Sequence, residues 1–426
     1  MREMKDSGVE WIGQIPKEWE LRRAKTLFTQ RNSKGNEIEV LLSPTQKYGV
    51  VPQSQLEGVV QVKEDTDLQM FKTVHKGDFV ISLRSFQGGF EYSLYEGVCS
   101  PAYQVFYPTS PICDTYYRYL FKSQSFISKM NNLTVGIREG KNIQYVDFAN
   151  SQIPVPPLAE QERIAAFLDA ECAEIDAVLE KTRASIEEYK KLKQAVITQA
   201  VTKGIRGDRP MKDSGIEWIG EIPAEWEIRK IFRAINKVGD IDHYMPDSVD
   251  DGIPYLMTGD LQEKLSDVNL KRCKKVSFQD YEMLSSKIRV SKGDVIFARY
   301  ATIGTVCFVD TEDNILVSYA CLIIKPNSSL LYGEFLFYYL KSTAFLEEIK
   351  QYIKANTQAN VGLDSVSKAK IALPSVHEQQ KIVEYLRDKC KKIDALIAKK
   401  QQYLTEIENY KKSLIYEYVT GKKEVV

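Results

Sequence analysis

Residues 156–204 read PPLAEQERIAAFLDAECAEIDAVLEKTRASIEEYKKLKQAVITQAVTKG. No Gly or Pro stands between Leu158 and Lys203, so nothing in the stretch stops a helix. Leu168, Cys172, Ile175, Leu179, Thr182, Ile186, Tyr189, Lys193, Val196 and Ala200 step alternately by four and three residues, which is a heptad seam. Thr182 and Lys193 are its two positions that are not apolar. The stretch recurs 218 residues later, where Leu386, Cys390, Ile393, Ile397, Lys400, Leu404, Ile407, Lys411, Leu414 and Tyr418 hold the same register. Fifteen of the 49 aligned positions are identical, among them Glu160/Glu378, Gln161/Gln379, Ile175/Ile393 and Asp176/Asp394. A helix of about 40 residues is ~60 Å long and cannot bury such a seam alone. The tethered second copy is the nearest partner, and the residues between the copies, 205–373, leave room for an antiparallel return. The alternative is that each helix packs only on its own domain.

A second repeat frames the first. Residues 4–23, MKDSGVEWIGQIPKEWELRR, return at 211–230 as MKDSGIEWIGEIPAEWEIRK, with fifteen of twenty positions identical. The chain is therefore two tandem units, each a domain followed by a long helix. The boundaries read as 1–155 for the first domain, 156–204 for the central helical spacer, 205–373 for the second domain and 374–426 for the C-terminal helical spacer. Trp11 and Trp19, with Ile12 and Ile15, and their copies Trp218, Trp226, Ile219 and Ile222, read as an apolar clasp holding the start of each domain. KGDFVISLR at 76–84 and KGDVIFARY at 292–300 each set a Lys-Gly-Asp turn before a β-rich run. Segments 115–132 and 331–353 read as amphipathic aromatic helices, and each domain closes on a short apolar strand and a proline. The fold class is α+β.

Composition limits the function. Lys and Arg number 58, as do Asp and Glu, and no segment is a basic tail. A nucleic-acid surface would have to be made by folding. There is no apolar leader at MREMKDSGVEW and no run of 18 apolar residues, so a cytoplasmic protein is expected. The seven cysteines are scattered without a C-x-x-C pair, and there are three histidines, so neither a disulfide framework nor a zinc site is expected. GIREGKN at 136–142 has one residue too few between its glycines for a phosphate loop, and Asn142 follows the lysine where a hydroxyl is needed. His75, His243 and His377 lie far apart and outside any nucleophile motif. A chain without catalytic activity, two related domains joined by a stiff spacer, suits reading two segments of one long object such as DNA, whose grooves repeat every ~34 Å.

DSGVEWIGQIPKEW at 6–19 with its copy at 213–226, and PLAEQERI at 157–164 with its copy within 374–382, resemble the specificity (S) subunits of type I restriction-modification systems. The resemblance covers essentially the whole chain: target-recognition domain, helix, target-recognition domain, helix. It implies a DNA-binding subunit without catalytic activity that reads a bipartite target. It implies two methyltransferase (M) subunits and two restriction (R) subunits as partners. S-adenosylmethionine, ATP and Mg would be bound by those partners, and no cofactor by this chain. An orphan S-like DNA-binding regulator and a coiled-coil adaptor without a methylase partner are the competing readings.

Base-reading residues do not carry over by motif, so candidates are ranked by chemistry: Arg and Lys suit guanine, Asn and Gln adenine. Two loops qualify in each domain. They give Arg84, Ser85 and Gln87 in LRSFQGG, and Arg138, Lys141, Asn142 and Tyr145 in GIREGKNIQY. In the second domain they give Arg299, Tyr300 and Thr302 in ARYATIG, and Lys354, Asn356, Gln358 and Asn360 in KANTQANVG. Lys141 and Lys354 are the better phosphate contacts, which position without specifying.

Overall fold

Both long repeats fold as uninterrupted helices, Leu158–Lys203 and Val376–Val419, in a computed structural model that describes residues 2–35, 40–56, 68–82, 89–133, 143–300, 302–352 and 360–425. The first helix begins directly after Pro157 and the second two residues after Pro374, and each carries a glutamate, Glu160 or Glu378, in its first turn, where the helix dipole favours negative charge. Each stops at a glycine in the left-handed region, Gly204 at φ +76° and Gly421 at φ +72°. A Cβ on Gly421 would stand 2.4 Å from the Pro16 ring, so the stop also needs the missing side chain.

The chain divides into two compact units, residues 1–183 with 402–426 and residues 184–401. Each unit therefore holds one domain and a half of each helix. In the first unit a hairpin, Met4–Asp6 with Gln14–Pro16, opens the domain. The core sheet is antiparallel in the order Phe28–Arg31, Gln104–Pro108, Phe79–Ile81, Phe90–Tyr92. Helices Asp114–Lys122, Gln124–Leu133 and Tyr145–Asn150 cover it. The closing strand Gln152–Val155 returns to pair with Glu20–Arg23 and leads into the central helix.

The second unit repeats this plan. Met211–Asp213 pairs with Glu221–Pro223. The sheet runs Ile235–Gly239, Cys321–Pro326, Val295–Ala298, Val306–Phe308. Helices Gly333–Lys341, Thr343–Lys350 and Leu363–Lys368 take the places of the first three. Lys370–Leu373 pairs with Glu227–Lys230. The second unit also holds a three-stranded sheet, Lys274–Val276, Ile253–Leu256 and Leu316–Val317, and the helix Phe278–Ser285, where the first unit has the two-stranded sheets Leu42–Thr45 with Gly49–Pro52 and Lys72–Val74 with Gly97–Cys99.

Within each unit the helices run antiparallel, because numbers that rise along one fall along the other. In the first unit Phe167 stacks on Tyr418 at 4.4 Å, Lys411 bonds Asp176 at 2.6 Å and Arg183 bonds Glu408 at 2.6 Å. In the second, Lys400 lies over Tyr189 and Lys193 bonds Asp394 at 2.8 Å. The α+β domains and the antiparallel helix pair expected from the repeats are both present. The two non-apolar seam positions also have physical outlets. Thr182 returns its hydroxyl to the Val178 carbonyl at 2.8 Å, and Lys193 extends to Asp394 and Glu263.

The clasp is structural. Trp19 and Trp226 are fully buried, and each indole N–H donates to the first-turn glutamate of the helix that follows its domain. The distances are 2.8 Å for Trp19 to Glu160 and 3.1 Å for Trp226 to Glu378. Arg2 and Arg209 bond the same carboxylates at 2.6 Å. Gln161 accepts from the Cys113 N–H and donates to the Pro156 carbonyl, while Gln379 accepts from the Tyr332 N–H and donates to the Leu330 and Pro374 carbonyls. The repeated Glu-Gln pair thus ties each helix to its domain. The partners of a buried polar group must be supplied, and these motifs supply them.

Candidate nucleic-acid interface

The second domain shows its candidate face at one end of the four-stranded sheet, where strands end at Gly239 and Ala298 and another begins at Cys321. Arg299 leaves the sheet there. Its N–H donates to the Ala320 carbonyl and its own carbonyl accepts from the Val361 N–H. Tyr300 bridges to Asn360, so two candidate loops far apart in sequence meet. Thr302 lies in the same turn, exposed, with its N–H on the Tyr300 carbonyl. Gly304 at φ +93° closes the turn. Asn360 is exposed and Tyr300 half-buried.

Arg299 is not a free donor. Its side chain is 12 % exposed, and its guanidinium bonds Asp240 at 2.8 Å and donates to the Tyr300 hydroxyl at 3.0 Å. Its Nε is buried without a partner. Asp240 also receives Lys287 at 3.3 Å. A base contact by Arg299 therefore competes with an acid already in place, and each good bidentate base contact is worth about 1–3 kcal/mol. Beside this cluster His243 stacks on Tyr319 at 4.4 Å, with Tyr244 exposed next to it. Sequence reasoning missed Asp240, His243 and Tyr319. GDIDHY at 239–244 carries no periodic signal, and only the polar and aromatic content of that loop pointed to it.

In the first domain Tyr145 is the one candidate among the described residues. It opens the helix Tyr145–Asn150, and its hydroxyl donates to the Phe28 carbonyl at 2.8 Å. Burial pushes that phenol up, and its ring packs on Phe106 and Phe148. The structure thus gives it a core role. Arg84, Ser85, Gln87, Arg138, Lys141 and Asn142 lie outside the described residues, as do Lys354, Asn356 and Gln358 of the second domain. The strand ends that flank the first loop, Ile81 and Phe90, face each other in register as Phe297 and Val306 do in the second domain.

Donors and aromatic faces gathered at a sheet end suit hydrogen bonding and stacking to a base edge. Among the described residues no three His, Cys, Asp or Glu side chains are grouped to hold a metal ion, and no helix is long and apolar enough to cross a membrane.

The class defined by this architecture is a duplicated recognition protein: two α+β domains, each seated on halves of a shared antiparallel helix pair. The chain matches the type I restriction modification DNA specificity domain over residues 16–188 and again over 223–409, and it belongs to that family. It is 26% identical to the putative type I restriction enzyme MjaX specificity subunit of Methanocaldococcus jannaschii, over 97% of this chain and 96% of that one. It is 28% identical to the MjaVIII specificity subunit of the same organism, over 67% of this chain. It is 23% identical to the Escherichia coli EcoBI specificity subunit, over 70% of this chain. Those last two matches span 66% and 63% of the relatives' own lengths. Two solved structures share the fold. One, from work on complex assembly and conformational transition of the type I R-M system, has a TM-score of 0.70 at 16% identity and covers 96% of this chain and 99% of its own. The other, the HsdS subunit of Thermoanaerobacter tengcongensis, has a TM-score of 0.50 at 15% identity and covers 98% and 100%.

Proposed function

We propose that this chain is the sequence-specific DNA-binding subunit of a type I restriction-modification complex. The first domain reads one half of a split target and the second domain the other half. The observation that carries this reading is the duplication: one family domain present twice, with different side chains in the equivalent loops. Two modules of one plan with two chemistries suit two unlike half-sites joined by DNA that is not read.

The chain acts in the cytoplasm without catalysis of its own and scaffolds two M and two R subunits. The M subunits bring S-adenosylmethionine, and the R subunits ATP and Mg. An open flank of the helices supports the first of these partnerships. Val178 and Tyr410 in the first unit, and Leu192 and Leu396 in the second, are exposed apolar side chains in one heptad position beside the seam. Val178 is equivalent to Leu396 and Leu192 to Tyr410 under the 218-residue repeat, so the same patch occurs once per unit and suits two copies of one partner.

Long-read sequencing of methylated adenines in host DNA, with and without the gene, tests the reading. A split motif that disappears with the gene is expected. Asn360→Ala, at the exposed candidate beside Tyr300, is expected to alter preference in one half of that motif, by about 1–3 kcal/mol at one base pair, and to leave the other half unchanged. No motif in either strain, together with failure of a methyltransferase to co-purify, would favour the orphan regulator or the adaptor.

A further inference from the structure

Where each domain meets the helix that follows it, an ion pair crosses the seam, and its polarity is opposite in the two units. In the first unit the helix supplies the acid. Asp169 accepts from Arg118 at 2.7 Å and from the Tyr119 hydroxyl at 2.7 Å, both on the helix Asp114–Lys122. In the second unit the helix supplies the base. Arg387, the 218-residue equivalent of Asp169, donates through Nε to Glu334 at 2.7 Å and through Nη2 to the other oxygen. Glu334 lies on the helix Gly333–Lys341, the counterpart of Asp114–Lys122, and is fully buried, with Lys264 at 4.0 Å as its other cation. Counting from the ends of those two helices, Lys122 and Lys341, Arg118 stands at the place of Phe337 and Glu334 at the place of Thr115. The two domain charges are thus three residues apart on one helix face.

We infer that Asp169 and Arg387 are the residues that match each helix to the recognition domain joined to it. If the first domain sat on the C-terminal helix, Arg118 would face Arg387. If the second sat on the central helix, Glu334 would face Asp169, a buried carboxylate against a second carboxylate. The repeated helix-entry motif does not discriminate in this way. The Glu-Gln pairs are identical in both repeats, so either domain would satisfy them on either helix, and Asp176 and Asp394 pair with lysines of the opposite helix, Lys411 and Lys193, whichever domain is seated there. Arg118 and Asp169 are 39% and 50% exposed, so their pair is worth little, whereas Glu334 is fully buried and a second carboxylate facing it is costly, so the mismatched seating is selected against chiefly at Glu334. The inference concerns seating alone and stands whatever DNA the chain reads. Its consequence for specificity is that exchange of a recognition domain between chains succeeds only when the helix residue opposite it has the matching sign.

The test uses the full chain with its domains exchanged, residues 211–373 in place of 4–155 and the reverse. The exchanged chain is expected to melt roughly 5 °C or more below the same exchanged chain carrying Asp169→Arg and Arg387→Asp. In native domain order the same two substitutions are expected to lower the midpoint. A second pair keeps the inference falsifiable if the exchange does not fold: in native order Arg387→Asp alone, which sets a carboxylate against the buried Glu334, lowers the midpoint, and adding Glu334→Gln restores at least half of the loss. Equal melting of both exchanged chains would overturn the inference, and so would failure of the native-order double to recover.

Discussion

The two units solve one packing problem with different side chains. At equivalent sheet and helix positions the first unit uses Phe28, Phe79, Phe90, Phe106, Tyr117, Phe121 and Phe148, and the second uses Ile235, Val295, Val306, Ile324, Leu336, Leu340 and Val366. Phe28 sits at the centre of the first set, with five neighbouring rings at 5.3–5.9 Å, and Phe106 and Phe148 approach to 4.6 Å. Among the described residues the second unit has an ionic tie without a counterpart in the first. Lys193 there joins Asp394 and Glu263, and Glu263 also binds Lys341, the counterpart of Lys122. In the first unit Lys122 instead serves Glu91 within the domain, and Lys411 has Asp176. Backbone plan and clasp are held in common, while core filling and seating charges are free to differ. The loops that carry recognition therefore sit on scaffolds tuned separately.

The clasp is where the units should behave alike. Trp19→Ala and Trp226→Ala are each expected to cost about 3–5 kcal/mol, read as a drop in the denaturation midpoint of the corresponding unit. A large inequality would show that the repeated motif does different work in the two places. The cores should behave differently. Phe28→Ala is expected to cost about 3–4 kcal/mol, and Ile235→Ala, at a half-buried position, about 2 kcal/mol. Equal losses in urea titrations would mean that the aromatic cluster adds nothing over aliphatic packing.

Glu91 offers a contrast in pH. Burial pushes its carboxyl up to about 7, against the pull of Lys122, while the equivalent position in the second unit is Cys307, a buried thiol pushed up to about 12. Below about pH 4.5 Glu91 is neutral whether the chain is folded or not. Between about 4.5 and 7 the unfolded chain ionises it first, so the first unit loses stability as pH rises, by at most ~3 kcal/mol. Glu91→Gln is expected to flatten that slope and leave the second unit unchanged, as followed by melting from pH 4.5 to 7.5. The smallest effect concerns the helix cations. Lys193→Met is expected to cost about 1 kcal/mol and Lys411→Met about half of that, because Lys193 is 16% exposed with two acids and Lys411 is 25% exposed with one.

How far the sequence could be read followed the range of the interactions. The long helices were legible because a heptad seam is local and needs no knowledge of its partner. The duplicated Glu160 and Glu378 were visible as identities, but their work was not, since Trp19 and Trp226 lie 141 and 152 residues away. Arg299 looked like a free base reader because Asp240, which neutralises it, is nowhere near it in sequence. Tyr145 failed to show its core role for the same reason, its acceptor being the Phe28 carbonyl. The loops carry no pattern that ties a residue type to one geometry, so their chemistry could be ranked but not placed.

The division of the chain has a consequence for its synthesis. Residues 184–401 form one unbroken length, so the second unit has all of its parts as soon as they leave the ribosome. The first unit includes residues 402–426. Until residues 402–426 are translated, Trp19 lacks Gly421, the Ile12 carbonyl lacks Lys422, and the Tyr116 hydroxyl lacks the Val419 carbonyl. The unit begun first is therefore completed after the second, and a message cut before codon 402 yields a chain whose second unit has all of its parts and whose first does not.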